Sequence, residues 1–335
     1  MKPKLAILML SWRRFETLLQ TLMELPPTFT QPAHLILRVQ GMEDLSDEQR
    51  QLVHDAARGF TSTDIYFTRD NVGSAAARLD LTHRGAKAGY EYLMFTDDDI
   101  AFPPGGIDYQ INTLDKYPEI GSISLRPGGI KKIQVVSEEG VCLTTYEDVG
   151  DPICEVYLVG SASIMFRSSL YTEHLVAPDP AYYIGTWDWD FVLQIRETGY
   201  KVCVITDKKI VNKRGGDEIY RKKRHNKKYV KENRILFIEK WGFDPVKSRR
   251  VNSNFVRPVT FEDKLRVAKE DMEDLERELP DNNEPDRILS KRLRRANSGK
   301  PYIESKSREP LHIPQGTNWR TRIIKEQIQQ HHLDN

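Results

Sequence analysis

Three consecutive carboxylates, Asp97, Asp98 and Asp99, close the apolar run Tyr92–Phe95, and apolar residues resume directly after them. Like charges side by side repel one another, so the arrangement calls for a cation or a substrate to offset it. On a strand, alternate side chains share a face, which predicts that Asp97 and Asp99 point the same way. Two such oxygen donors suit Mg2+ or Mn2+, ions that keep several waters and bridge to phosphate oxygens. A second acidic pair, Asp188 and Asp190, alternates with Trp187 and Trp189 after an aromatic, glycine-bearing loop. Acids at a helix entry are ordinary dipole stabilisers. Indole faces beside carboxylates also suit a sugar or another flat polar ligand. In a third segment, "RDNVGSAAAR", Asn71 and Gly73 make a turn, Ser74 offers a cap, and Arg78 lies on the first turns of a helix. A helix start plus an arginine is a good neighbour for phosphate.

Rival chemistries fit less well. There is no GxxxxGK[ST] run, so the acidic triplet has no phosphate loop to serve as an NTPase partner. A phosphatase with an aspartyl nucleophile would want Ser or Thr shortly after its second Asp, where Ile100 and Ala101 stand.

These side chains need a scaffold, and the first hundred residues alternate strand and helix patterns. "LAILML" (Leu5–Leu10) is short and wholly apolar, as in a central strand buried on both faces. Phe15, Leu18, Leu19, Leu22 and Met23 form one helical face, stopped by Pro26 and Pro27. "HLILRVQG" reads as a second strand, and residues 46–59 as a helix capped by Ser46 and ended by Gly59. "DIYFTRD", an Ala-rich helix to Gly89 and "YLMF" complete the series. The alternation predicts a mostly parallel α/β sheet flanked by helices, whose ligands bind beyond the carboxyl ends of the strands. Later come a helix over 107–117, a strand "IGSISLR", a loop over 126–152 and paired strands in "VYLVGSASIMF". A helix from Trp189 and a strand "KVCVI" follow. Beyond about residue 245, Phe261, Leu265, Ala268, Met272, Leu275 and Leu279 make a short heptad seam, with Thr260 and Asp263 as a weak cap. We therefore expect a main domain over 1–245 and a helical, basic extension over 246–335.

The 335 residues, 39% apolar and 30% charged, are those of a soluble globular protein of net charge +1, without a bilayer-length apolar run. Cys142, Cys154 and Cys203 lack metal-ligand spacing and predict a reducing, cytoplasmic setting.

The order "LAILML…RDNVGSAAAR…YLMFTDDD…WDWDFVLQIRETGYKV…NRILFIEKWG" resembles a family 2 glycosyltransferase of the GT-A fold, over roughly residues 4–243. The resemblance implies a Rossmann-like sheet and a nucleotide-sugar donor, a UDP-sugar first. It implies Asp97 and Asp99 as the metal-binding DxD, with Asp98 facing the ribose. It also places Ser11, Arg13, Gln40, Asn71, Gly73 and Arg78 on the nucleotide, and Trp187 and Trp189 beside the sugar. Through Arg196, Gly199 and Tyr200, Asp190 aligns with the catalytic base, and Asp188 would orient hydroxyls. Gln40 stands where the family usually has an aspartate. No histidine follows the strand after the base helix, which leaves His225 as the nearest third metal ligand. The implied reaction is a metal-assisted, inverting displacement.

The acceptor is read from charge. Lys213–Arg234 carries ten Lys or Arg against three acids, and Arg287–Lys300 adds more positives and no acid. Two basic runs in a neutral chain point to a polyanion. Nucleic acid with a hydroxymethylated base is the first expectation. The alternatives are a lipid-linked or polysaccharide acceptor at an anionic membrane surface, and a nucleic-acid-binding protein that keeps the fold without the activity.

Overall fold

A computed structural model describes residues 3–41, 45–137, 140–213, 218–224 and 226–241. The chain divides into two compact units, 1–226 with 245–259, and 227–244 with 260–335. The heptad seam, its cap, the Arg287–Lys300 run and His225 lie outside the described residues.

The first unit opens with three strand–helix repeats. They are β1 (Leu5–Trp12), α1 (Phe15–Glu24), β2 (Ala33–Gln40), α2 (Asp47–Ala56), β3 (Ser62–Thr68) and α3 (Ser74–Lys87). Then follow β4 (Tyr92–Asp97), the two-residue β5 (Ile100–Ala101), α4 (Gly106–Lys116) and β6 (Ile120–Arg126). A hairpin, β7 (Lys132–Ser137) and β8 (Gly140–Thr145), leads to β9 (Ile153–Glu155), β10 (Met165–Arg167) and the short α5 (Ser169–Thr172). Last are α6 (Trp187–Glu197), β11 (Lys201–Lys209), β12 (Val211–Asn212) and α7 (Glu218–Arg224). From the second unit, α8 (Lys227–Trp241) is described.

Eight strands form one sheet in the order β3-β2-β1-β4-β10-β6-β11-β9. The first four are mutually parallel, β6 and β11 pair in parallel, and β10 and β9 run antiparallel to their neighbours. The α/β, mostly parallel architecture expected from the alternation is therefore present. Leu5 to Met9 are all fully buried, because β1 is central and covered on both faces. Each large apolar side chain there contributes about 1.5–3 kcal/mol by leaving water. At the start of α2, Ser46 accepts from the Gln49 backbone while Gln49 caps the Ser46 N–H, a reciprocal capping box.

Two local expectations fail. The segment expected as a loop over 126–152 contains the β7–β8 hairpin, whose alternating Ile133, Val135 and Leu143 are interrupted by polar residues. "VYLVGSASIMF" was expected as paired strands. It gives instead an isolated bridge at Val156, one 3-10 turn (Ser161–Ser163) and, at its end, Met165 and Phe166 of the short β10. Gly160 and two serines break the β pattern there.

Candidate active site

The chain runs from β1 outward to β2 and β3, then returns across β1 to β4, so the order reverses between β1 and β4. In open α/β sheets, the crevice beyond the carboxyl ends of the strands at such a reversal is the usual ligand site. Here Trp12 is registered with Gln40, and Leu10 with Asp97. All four line one cavity of about 120 Å3, together with Arg14, Asn71, Gly73, Ser74, Arg78, Ser161, Tyr183, Ile184, Gly185, Trp187, Asp188 and Tyr220.

The acidic triplet does not act as one face. β4 ends at Asp97 and the chain turns through Asp98 and Asp99 before β5, so the two-residue alternation stops where it was needed. Asp97 lines the cavity and pairs with Arg78. Asp98 is fully buried, accepts from Ser11 Oγ at 2.5 Å and pairs with Arg14. Asp99 is 4% exposed and pairs with the same Arg14. Burial pushes the Asp98 carboxyl up to about 7, against the opposite pull of Arg14 and the Ser11 hydroxyl. Burial also works against the charge on Arg14, but Asp98 and Asp99 outweigh it and hold the guanidinium above its usual value. Arg78 is 2% exposed and its pKa is lowered, by burial first. Its guanidinium carbon sits 5.2 Å from the Phe95 ring centre and 5.1 Å from that of Trp187, and this stacking supports the buried charge.

The turn before α3 is built around Gly73, at φ 91. A Cβ there would lie 2.6 Å from the Tyr183 carbonyl oxygen and 2.8 Å from its ring, so only glycine admits the Tyr183 loop. The Asn71 side chain accepts from the Gly73 N–H at 2.9 Å, and Gln40 accepts from Val72 N at 3.2 Å. Ser74 does not cap by its side chain. Its N–H donates to the Tyr183 carbonyl at 2.8 Å, so that helix-start donor, expected to face phosphate, is already engaged.

At α6, Gly185 (φ 71) and Thr186 (φ 65) are both left-handed and swing the chain into the helix. Asp188 lines the cavity, where its Oδ2 accepts from Ser161 N at 3.2 Å and its Oδ1 from Trp189 N at 3.1 Å. Asp190, two residues on, faces elsewhere. It is fully buried and accepts from Gln194 Nε2 at 2.6 Å.

Of the expected site residues, the cavity gathers Gln40, Asn71, Gly73, Arg78, Asp97, Trp187 and Asp188. Ser11, Asp98, Asp99, Trp189 and Asp190 do not line it. In "SWRRF" it is Arg14 that reaches the cavity, while Arg13 takes a left-handed φ of 55 and does not line it. Arg14 and Tyr220 were not among the expected site residues, and Tyr183 was expected only as part of the aromatic loop before Trp187. Two adjacent arginines after a buried strand were the available signal for the first, and Tyr220 had only its place amid basic residues.

Of the expected metal ligands, Asp97 lines the cavity, Asp99 pairs with Arg14, and His225 lies outside the described residues. Among the described residues no group of three or more His, Cys, Asp or Glu is placed to hold a metal ion. Asp97 alone of the triplet is open to the cavity. That fits a Mg2+-type ion held by one carboxylate, water and substrate phosphate.

No family model matches the sequence. No curated protein matches it either. Among solved structures, Staphylococcus aureus TarS 1-349 in complex with UDP-GlcNAc aligns at a TM-score of 0.52 and 12% identity, covering 83% of this chain and 74% of that one. The same protein in complex with UDP aligns at a TM-score of 0.49 and 11% identity, covering 87% and 78%. At that identity, the first alignment speaks for the fold. With the strand order and the site at the sheet's reversal, it establishes that this chain has a GT-A fold.

Proposed function

We propose that the protein is a glycosyltransferase that moves a sugar from a nucleotide-sugar, a UDP-sugar first, to an acceptor hydroxyl. The observation that carries this reading is that one cavity at the sheet reversal holds Asp97 with Arg78, Asp188 and Trp187. The TarS structure with UDP-GlcNAc supports the choice of donor.

Asp188, rather than Asp190, serves as the general base. A base must come within hydrogen-bond reach of the proton it removes, and Asp188 is the α6 carboxylate on the cavity wall. Ser161 N and Trp189 N hold its two oxygens in place. It takes the acceptor proton as the hydroxyl oxygen attacks the anomeric carbon from the face opposite the leaving diphosphate, so configuration inverts. Asp190 acts through Gln194, whose amide donates to Asp190 and to the Ala177 carbonyl and ties α6 to the preceding loop. Arg78 and Arg14 are the two guanidinium groups on the cavity wall that a diphosphate can meet, each already paired with an aspartate. A Mg2+ or Mn2+ ion on Asp97 would supply further charge neutralisation of the leaving diphosphate. Buried free thiols at Cys154 and Cys203 accord with a cytoplasmic setting.

A nucleic-acid acceptor is the second reading. It is favoured by α7, which turns Tyr220 to the cavity wall while Arg221 and Lys222 face solvent.

A panel of UDP-, GDP-, CMP- and dTDP-sugars tests the main reading, with binding followed by calorimetry and hydrolysis by nucleotide release with Mg2+ or Mn2+. Micromolar binding of one donor with slow hydrolysis is expected. Failure of every donor to bind would remove the reading.

A further inference from the structure

Thr186 stands at the capping position of α6, since its carbonyl accepts from Asp190 N at 3.1 Å. A threonine there ordinarily takes an extended backbone, and its hydroxyl caps the N–H of the second or third helical residue. Here it does neither. It sits at φ 65 and ψ −26, and its side chain makes no cap bond. Arg13, Leu175 and Thr186 are the non-glycine residues at positive φ among the described residues. Of these only Thr186 is β-branched, the type for which that region is a true outlier. Its neighbours impose the strain. The Tyr183 carbonyl is fixed by Ser74 N at 2.8 Å, and Trp187 is buried, edge-on to Phe95 at 5.5 Å. Ile184, Gly185 and Thr186 must close the span between them. The third helical N–H of α6 is that of Trp189, and Asp188 Oδ1 accepts it at 3.1 Å in place of the threonine. One donor therefore has two candidate acceptors, the Thr186 hydroxyl and the carboxylate of the proposed base.

We propose that Thr186 is a positioning residue for transfer, whose hydroxyl takes over Trp189 N and so releases Asp188 when substrate fills the cavity. This rests on the transferase reading above and adds to it the step that frees the base. At rest both carboxylate oxygens are engaged, Oδ2 by Ser161 N and Oδ1 by Trp189 N. Hydrogen bonds to a carboxylate favour its charged form and so work against proton uptake. Rotating Thr186 to the extended backbone relieves the left-handed strain and brings its hydroxyl to the N–H it would ordinarily cap. Gly185 can absorb the rotation, because even a Cβ there would meet nothing within 4 Å. Ile184 and Gly185 both line the cavity, so a bound substrate touches the segment that moves. Oδ1 then takes the acceptor's hydroxyl proton, the oxygen bonds to the anomeric carbon, and the diphosphate leaves with the electron pair of the broken bond. The strain has a role in this. It brings the two arrangements close in free energy, so that contact with a ligand can shift the balance.

Thr186→Val tests this in the full chain, because it keeps the branched shape and removes only the hydroxyl. The resting hydroxyl caps nothing, so the urea unfolding midpoint should stay that of the parent protein. Turnover should nevertheless fall about 10-fold or more, the scale of one hydrogen bond to a charged group, with donor KM within about twofold. Thr186→Ser restores a capping hydroxyl and should restore turnover. The second measurement needs no transfer: 15N relaxation dispersion at the Trp189 amide, with UDP added. Exchange between two states should be present in the parent and in Thr186→Ser, and absent in Thr186→Val. Full turnover in Thr186→Val, equal losses in the valine and serine variants, or undiminished exchange in Thr186→Val would each overturn the proposal. So would a lowered urea midpoint in Thr186→Val, which would make the hydroxyl a structural support. If the exchange follows the hydroxyl while no nucleotide-sugar is turned over, the switch at Thr186 stands and the transferase reading fails, so the two failures are told apart.

Discussion

Exchanging each α6 carboxylate for its amide separates the two roles, because Asp188 and Asp190 sit two residues apart in different surroundings. Asp188→Asn keeps the side-chain shape and one carbonyl oxygen, so one of the bonds from Ser161 N and Trp189 N survives and the other weakens. The loss in stability should be about 0.5–1.5 kcal/mol, that of one hydrogen bond. Its effect on chemistry should be far larger, because an amide cannot accept the acceptor proton. General bases contribute about 10²–10⁴-fold, or roughly 3–5 kcal/mol of barrier at 1.36 kcal/mol per tenfold. Asp190→Asn should show the reverse pattern. Its carboxylate is fully buried and accepts from the Gln194 amide at 2.6 Å; asparagine keeps one acceptor oxygen but puts a buried NH2 in place of the other, at a cost of about 1–3 kcal/mol of stability. Turnover of the molecules that remain folded should fall only a few-fold. The assay is single-turnover transfer with saturating donor, beside urea unfolding and UDP titration for each variant. Transfer that survives Asp188→Asn, or that disappears in a fully folded Asp190→Asn, would refute the assignment and restore Asp190 as the base.

Arg14→Met should cost about 3–5 kcal/mol in urea unfolding, because it strands the buried Asp98 and Asp99 without their shared cation. Gly73→Ala should lower both the melting temperature and UDP affinity, since a left-handed alanine costs about 1–2 kcal/mol and its Cβ displaces the Tyr183 loop. Chelation should slow transfer and Mg2+ restore it, while Asp97→Asn should raise the Mg2+ concentration giving half-maximal rate; a rate indifferent to chelator would remove the metal from the proposal. Cys154 and Cys203 should resist iodoacetamide at pH 8 in the folded protein, because burial pushes both thiols up to about 12 from the usual 9.0. Their folded pKa values lie above the unfolded one, so this contribution to stability is complete below pH 9 and fades as pH rises towards 12; peptide mapping after labelling reads the outcome.

The scaffold was legible because its signals are local. The apolar run Leu5–Leu10, the Ser46 cap and the glycine-ended helices each state their own element, and their alternation states the sheet. The β7–β8 hairpin was hidden because polar residues break up the apolar positions of its two six-residue strands, and the Glu138-Glu139-Gly140 sequence joining them carries a loop composition. Within the site, residue types were read better than directions. Asp97, Arg78, Trp187 and Asp188 reach the cavity as expected of residues at strand ends and helix starts. Which acid of a close pair faces inward depends on helix phase and on the left-handed step at Gly185–Thr186, neither of which sequence spacing fixes. The family resemblance, through Arg196, Gly199 and Tyr200, implies Asp190 as the base, and in the structure that carboxylate is fully buried.

The same distinction explains why three adjacent aspartates are tolerable. They do not share one cation; they share two arginines from different elements, Arg78 on α3 and Arg14 just after β1. Asp98 and Asp99 are spent internally, and what they hold in place is Arg14, whose guanidinium is stacked 4.6 Å over the Tyr220 ring on the cavity wall. Asp97 is left with one side to Arg78 and one side to the cavity. A cavity walled by Arg14, Arg78, Asp97 and Asp188 carries no net charge from those four residues, so an incoming diphosphate would bring an excess of negative charge. Either the diphosphate draws a divalent ion in with it onto Asp97, or it displaces Asp97 from Arg78 and takes the guanidinium itself. The chelation experiment with Asp97→Asn decides between them: if the ion is needed, the variant loses rate, and if Arg78 is the true partner, freeing it from Asp97 should tighten UDP binding without metal.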